Sequence, residues 1–165
     1  VTPVGLGTPR RTDVVVVGGG VLGSAAAWAL ARRGAGVVLL ERLGPGQVSE
    51  ASALLAAAAH HGAVVRHHRR VEAVVATPDG GVLVRQATGA TVRARAAVVA
   101  VGATASELLG AAGPSPTGEF VVDRIGPVVV TAGAGGRTPA REIGQVLADL
   151  ALGVRAGQPV PSAVG

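Results

Sequence analysis

Three glycines and one carboxylate carry the clearest chemistry in this sequence. Gly18, Gly20 and Gly23 stand in G-x-G-x-x-G spacing directly after the four valines of residues 14–17. That spacing suits a diphosphate. Gly18 permits a tight turn out of a strand, Gly20 lets a pyrophosphate approach the backbone, and Gly23 lets the following helix pack closely on the strand. The start of such a helix offers unpaired N–H groups and a partial positive charge. Glu41 closes the next apolar run, residues 37–40, where a carboxylate accepts hydrogen bonds from the ribose hydroxyls of an adenosine half. A carboxylate there disfavours a 2′-phosphate, which ranks NADP last among the dinucleotides.

Other side chains invite weaker readings. His60, His61, His67 and His68 are candidate metal ligands, since imidazoles bind zinc or nickel. Adjacent histidines on a strand point to opposite faces, and no carboxylate partner is obvious nearby, so surface histidines at a helix end and on a strand are the expectation. The basic run of residues 66–70 could take a phosphate; a solvated edge that resists strand pairing explains it as well. Ser24 and Ser106 lack the strand–turn–helix setting of a nucleophilic serine.

The elements that must position the glycines and Glu41 are legible around them. The apolar run 14–17 reads as a strand buried on both faces. Residues 24–33 read as an Ala-rich helix stopped at Gly34, and 37–40 as a second strand. A loop over 43–50, a helix over 51–61 and a short strand over 63–66 follow. Then the pattern changes to three short β runs, 71–76, 82–86 and 91–95, separated by turn residues: a β-meander. Residues 96–101 are fully apolar and read as a return to the buried parallel sheet, with a short helix over 106–109. Residues 111–117 have linker composition. Strands over 120–123 and 127–131, a glycine-rich turn at 133–137 and a helix over 139–152 complete the pattern. Residues 1–12 read as a loose leader and 156–165 as a tail, with one dinucleotide-binding domain made of 13–110 and 118–155.

Composition narrows the classes. The chain has 165 residues, enough for one sizeable core. It is 48% hydrophobic with one Trp, one Phe and no Tyr, so the core must be built from Ala and Val. Without cysteine there is no disulfide, thiolate metal site or redox dithiol in this chain, which accords with a cytoplasmic location. The net charge is +5 and all 15 basic residues are arginine. Scattered arginines without aromatic stacking partners argue against nucleic acid as a partner. Residues 14–31 carry no charge, yet the glycine cluster argues against a membrane span. The first residue is Val, as a non-standard start, a processed chain or a fragment would give.

The order of elements resembles the FAD-dependent oxidoreductases of the D-amino-acid oxidase and sarcosine oxidase (glycine oxidase-like) group. Four segments carry the resemblance: DVVVVGGGVLGSAAAWALARRGAGVVLLER at 13–42, the helix, strand and meander of 53–109, GEFVVDRIGPVVVTAGAGG at 118–136, and PAREIGQVLADLALG at 139–153. The resemblance implies an α/β, Rossmann-like FAD-binding fold, a mostly parallel sheet with a three-stranded antiparallel meander. It implies a flavoprotein that takes hydride from the C–N bond of an amine or amino-acid substrate. Gly18, Gly20 and Gly23 would cradle the pyrophosphate, and Glu41 with Arg42 would hold the ribose. Val71 would lie at the adenine; Ala100, Gly102 and Ala103 would pass the flavin side. Gly133, Gly135, Gly136 and Arg137 would form the turn at the flavin's pyrimidine end, where N–H groups stabilise charge on the reduced ring. Relative to that group, the stretch between Leu109 and Gly118 replaces nearly all of the substrate domain, and Ala134 stands where a histidine is usual. No lysine is present for oxygen activation. Two alternatives therefore stay open: a non-catalytic flavin-binding remnant that needs a partner chain to complete its site, and an NAD-binding dehydrogenase module.

Overall fold

A computed structural model describes residues 7–47, 49–101, 105–109, 121–132 and 138–154. Their elements run in the order β1 (Arg11–Val17), α1 (Val21–Arg32), β2 (Val37–Leu40), α2 (Glu50–His60), β3 (Val64–Arg66), β4 (Val71–Ala76), β5 (Val82–Gln86), β6 (Thr91–Val99), α3 (Ala105–Leu109), β7 (Val121–Ile125), β8 (Val128–Ala132) and α4 (Ala140–Leu152).

The buried runs pair as their composition demands. β3, β2, β1 and β6 lie side by side in parallel, and β8 joins β6 in parallel. Alternate side chains of these strands feed two cores. Val14, Val16, Leu39 and Val98 face α1, α2 and α4. Val15, Val17, Leu40 and Val99 face the other way, onto the meander valines Val74, Val82, Val84 and Val92 and onto α3. The arrangement is the α/β, Rossmann-like fold that the sequence implies, a mostly parallel sheet in which β5 runs antiparallel to β4 on one side and to β6 on the other.

Two boundaries that differ from the sequence reading have a plain physical cause. The third meander run and the return strand are one strand, β6, because nothing in Ala94-Arg95-Ala96 breaks an extended chain. Its one edge pairs with β1 from Arg93 to Val99. Its other edge pairs first with β5 and then with β8. β1 also begins at Arg11, inside the stretch read as leader, since Arg11 and Thr12 find partners in Arg93 and Ala94 of β6. The strand β7, with β8, forms an antiparallel hairpin over a two-residue turn carrying Gly126 in a left-handed conformation. At the β4–β5 turn the Thr77 hydroxyl donates to Asp79 and the Gly81 N–H adds a second bond, which together hold that carboxyl below its ordinary 3.8.

Helices α1 and α4 cross at small residues. A Cβ on Gly144 would stand 2.6 Å from the Ala25 carbonyl, so only glycine permits this approach. Beside the crossing, Arg33 donates to Asp149 Oδ1 at 2.6 Å and to Gln145 Oε1 at 2.5 Å. Trp28 fills the same interface, with the guanidinium carbons of Arg32 and Arg141 at 5.2 and 5.1 Å from its ring centroid. Among the described residues no helix is long and apolar enough to cross a membrane.

Candidate functional site

The carboxyl ends of β1, β2 and β6 are tied together. The Gly18 N–H donates to Leu40 O at 3.0 Å, and the Ala100 N–H donates to Val17 O at 2.9 Å. From β1 the chain runs outward through β2 and β3 on one side, then returns to β6 on the other, so a crevice opens where the order reverses. Ligands of open parallel sheets bind at such a point.

The glycine loop crosses this crevice. Gly18 has φ +105°, and a Cβ there would be 2.4 Å from Ala100 O. Gly23 does not face the crevice. It packs behind the loop, where a Cβ would stand only 1.9 Å from Gly18 O. Gly20 is the opposite case: nothing lies within 4 Å of the place a Cβ would occupy, so its side of the loop is open. The Ser24 hydroxyl donates to Gly19 O at 3.0 Å and fixes the loop on the first turn of α1. The N–H groups of that first turn have no acceptor within their own helix, as at any helix start.

Glu41 is half-buried at the end of β2. Its Oε2 accepts from the Gly19 N–H and its Oε1 from the Leu43 N–H at 3.0 Å. The carboxylate thus bridges the glycine loop to the chain leaving β2. On the same side, the Arg69 N–H donates to Glu41 O at 2.8 Å, which brings the segment after β3 alongside. His67 and His68 lie in this segment rather than on a strand, since β3 stops at Arg66. His67 Nδ1 is 3.2 Å from Leu43 O, and His68 takes a left-handed turn at φ 56°. Among the described residues no group of three or more His, Cys, Asp or Glu could hold a metal ion.

Together these ends enclose a cavity of about 530 Å³. Gly18, Gly20, Glu41, Arg42, Val71 and Ala100 all line it, as the sequence-level reading groups them. Gly102, Ala103, Gly133, Gly135, Gly136 and Arg137 lie outside the described residues. The cavity also takes in Gly19, Arg69, Arg70, Glu72 and Leu108, which the sequence reading does not assign to it. The basic run 66–70 was the one available signal for the two arginines. The others follow from chain pairings far apart in sequence. Among the described residues, neither Arg42, Arg69 nor Arg70 forms an ion pair.

The residues present fit an adenine dinucleotide. The loop leaves open space at Gly20, a helix start faces the crevice, and a carboxylate stands at the end of β2. A volume of this size falls in the range of small-molecule sites.

Known proteins share this architecture. NikD, an unusual amino acid oxidase essential for nikkomycin biosynthesis, matches with TM-score 0.76 at 14% identity, over 92% of this chain and 96% of that one. A thioredoxin reductase from Gloeobacter violaceus matches with TM-score 0.50 at 24% identity, over 58% of this chain and 38% of that one. The Diels-Alderase of the pyrroindomycin pathway matches with TM-score 0.52 at 19% identity, over 58% of this chain and 33% of that one. At these identities the likeness is one of fold, and this chain spans about a third of the length of the latter two. No curated protein matches the sequence. The sequence profile of the pyridine nucleotide-disulphide oxidoreductases matches residues 5–133, which include the glycine loop, Glu41, the meander and β8. The chain belongs to the pyridine nucleotide-disulphide oxidoreductase family.

Proposed function

We propose that this chain is the cofactor-binding part of an FAD-dependent oxidoreductase of the amine or amino-acid oxidase type. The observation that carries the proposal is the cavity at the strand ends, which gathers an open glycine loop, the start of α1 and Glu41. FAD supplies a two-electron acceptor for hydride from a C–N bond. The chain's own residues bind and orient it. The N–H groups at the start of α1 face the pyrophosphate, Gly20 keeps the approach open, and Glu41 stands at the ribose. With no cysteine, this chain cannot run dithiol chemistry. A partner chain, or a further segment, supplies the substrate side of the site.

A second reading rests on a specific observation. Arg42, Arg69 and Arg70 line the cavity together with Glu41, and both Glu41 oxygens already accept backbone N–H bonds. That favours a nicotinamide dinucleotide bearing a 2′-phosphate more than the sequence does, because guanidiniums without an ion pair among the described residues suit a phosphomonoester.

A visible absorption spectrum of the purified chain, followed by heat release of bound ligand, tests the first reading. Yellow protein that releases FAD supports it, and amines and amino acids then become the substrate screen. Colourless protein that takes up no added FAD but binds NADPH establishes the second reading instead.

A further inference from the structure

Strand β4 does not alternate regularly. Val71 lies opposite Gln86 and Ala73 opposite Arg85, so Glu72 is an extra residue without a partner on β5. This is a β-bulge, a device that re-aims side chains near binding sites. Its effect is visible in burial: Val71 and Val74 are 8% and 6% exposed although three residues apart, a spacing that a regular strand covered on one face does not give. Val71 can therefore face the cavity while Val74 stays in the core, and Glu72 is left exposed at the cavity wall.

The position of this wall is fixed. Residues 69–72 leave Glu41 through the bond from the Arg69 N–H to Glu41 O, so they are the next surface a nucleotide meets beyond its ribose. Val71 and Leu108 give that surface apolar sides, Leu108 arriving on α3, which packs on β4. Glu72 forms no ion pair among the described residues. Beside Val71 and Leu108, the exposed carboxylate of Glu72 is an acceptor that suits a planar base with a donor on its edge.

We infer that Glu72 reads the base of the bound nucleotide: its carboxylate accepts a hydrogen bond from the exocyclic amine of adenine and so selects adenine over a 6-oxo purine. A carboxylate only accepts, and the carbonyl of hypoxanthine also only accepts, so the exchange replaces a bond with a repulsion. The inference rests on the reading that this cavity holds the adenosine half of a dinucleotide, and it holds for FAD and for NADP alike.

The test is calorimetric titration of the full chain, freed of any nucleotide it carries, with ADP and with IDP. The wild-type chain binds ADP about tenfold or more tighter than IDP, the scale of one hydrogen bond to a charged group. Glu72→Ala weakens ADP, relieves the repulsion on IDP, and so collapses the preference between the two. Glu72→Gln narrows the preference from both sides, since its amide oxygen accepts from adenine and its amide nitrogen donates to hypoxanthine. Glu72 is exposed, so neither substitution threatens the fold. ADP binding that Glu72→Ala leaves unchanged, or an equal loss for ADP and IDP, overturns the inference and spares the dinucleotide reading. A wild-type chain that binds neither ADP, FAD nor NADPH overturns both.

Discussion

Gly20 and Gly23 are three residues apart and do different work. A methyl group on Gly20 meets empty space, whereas one on Gly23 meets a carbonyl at 1.9 Å. Gly20→Ala should therefore leave stability within about 0.5 kcal/mol, as for an exposed substitution, while weakening nucleotide binding. Gly23→Ala should cost about 1–3 kcal/mol or more, because helix α1 must back away from the loop. Urea denaturation and FAD titration of the two variants separate the effects; equal behaviour would refute the division of roles. The motif was legible in the sequence because its logic is local: a tight turn and a close approach need glycine wherever they occur. The carboxylate of Glu41 was legible as a site residue, yet its bonds to Gly19 and Leu43 were not. Those depend on how two loops from different strands meet. Arg69, Arg70 and Glu72 escaped for the same reason, since a hydrogen bond to Glu41 O and a bulge against β5 decide where they stand.

Elements were mostly legible where burial is two-sided. The apolar runs of β1, β2 and β8, short and bounded by turn residues, are what a covered parallel sheet requires. The misplaced boundary in β6 has a physical cause. Its pattern changes from alternating to continuous at Ala96, where cover changes from one face to two, and a change of pattern reads like a change of element. Helix α4 shows amphipathic spacing, but its target was invisible. The structure gives it α1, at a crossing that turns on Gly144 against Ala25. Gly144→Ala should improve local helix propensity by up to about 1 kcal/mol. The 2.6 Å clash should outweigh that gain and lower the thermal midpoint. A midpoint that rises would mean the helices separate freely. The Arg33–Asp149 bond beside this crossing joins a guanidinium that is 13% exposed to a carboxylate that is 40% exposed. Solvent screens its outer partner, so Arg33→Ala should cost about 1–2 kcal/mol, most of it from the bonds that Gln145 and Asp149 lose.

At the scale of the molecule, β6 is the member on which both halves depend. Among the described strands it alone pairs with the N-terminal unit through β1, with the meander through β5 and with the C-terminal hairpin through β8. Ala97, Val98 and Val99 are 0% exposed and have strands on both edges. Their amides should exchange with solvent most slowly of all, at rates set by global unfolding, as measured by hydrogen–deuterium exchange. Faster exchange there than in α1 would show that the C-terminal hairpin detaches on its own. The interface of α1 and α4 has one more consequence. Trp28 is the sole indole and the chain has no tyrosine, so the ultraviolet emission of this protein is a single-site signal. That indole is 8% exposed and has two guanidiniums against its ring, one from each helix. The molecule therefore carries its own optical gauge of helix docking: blue-shifted light while α4 is seated, and a red shift at the moment it leaves.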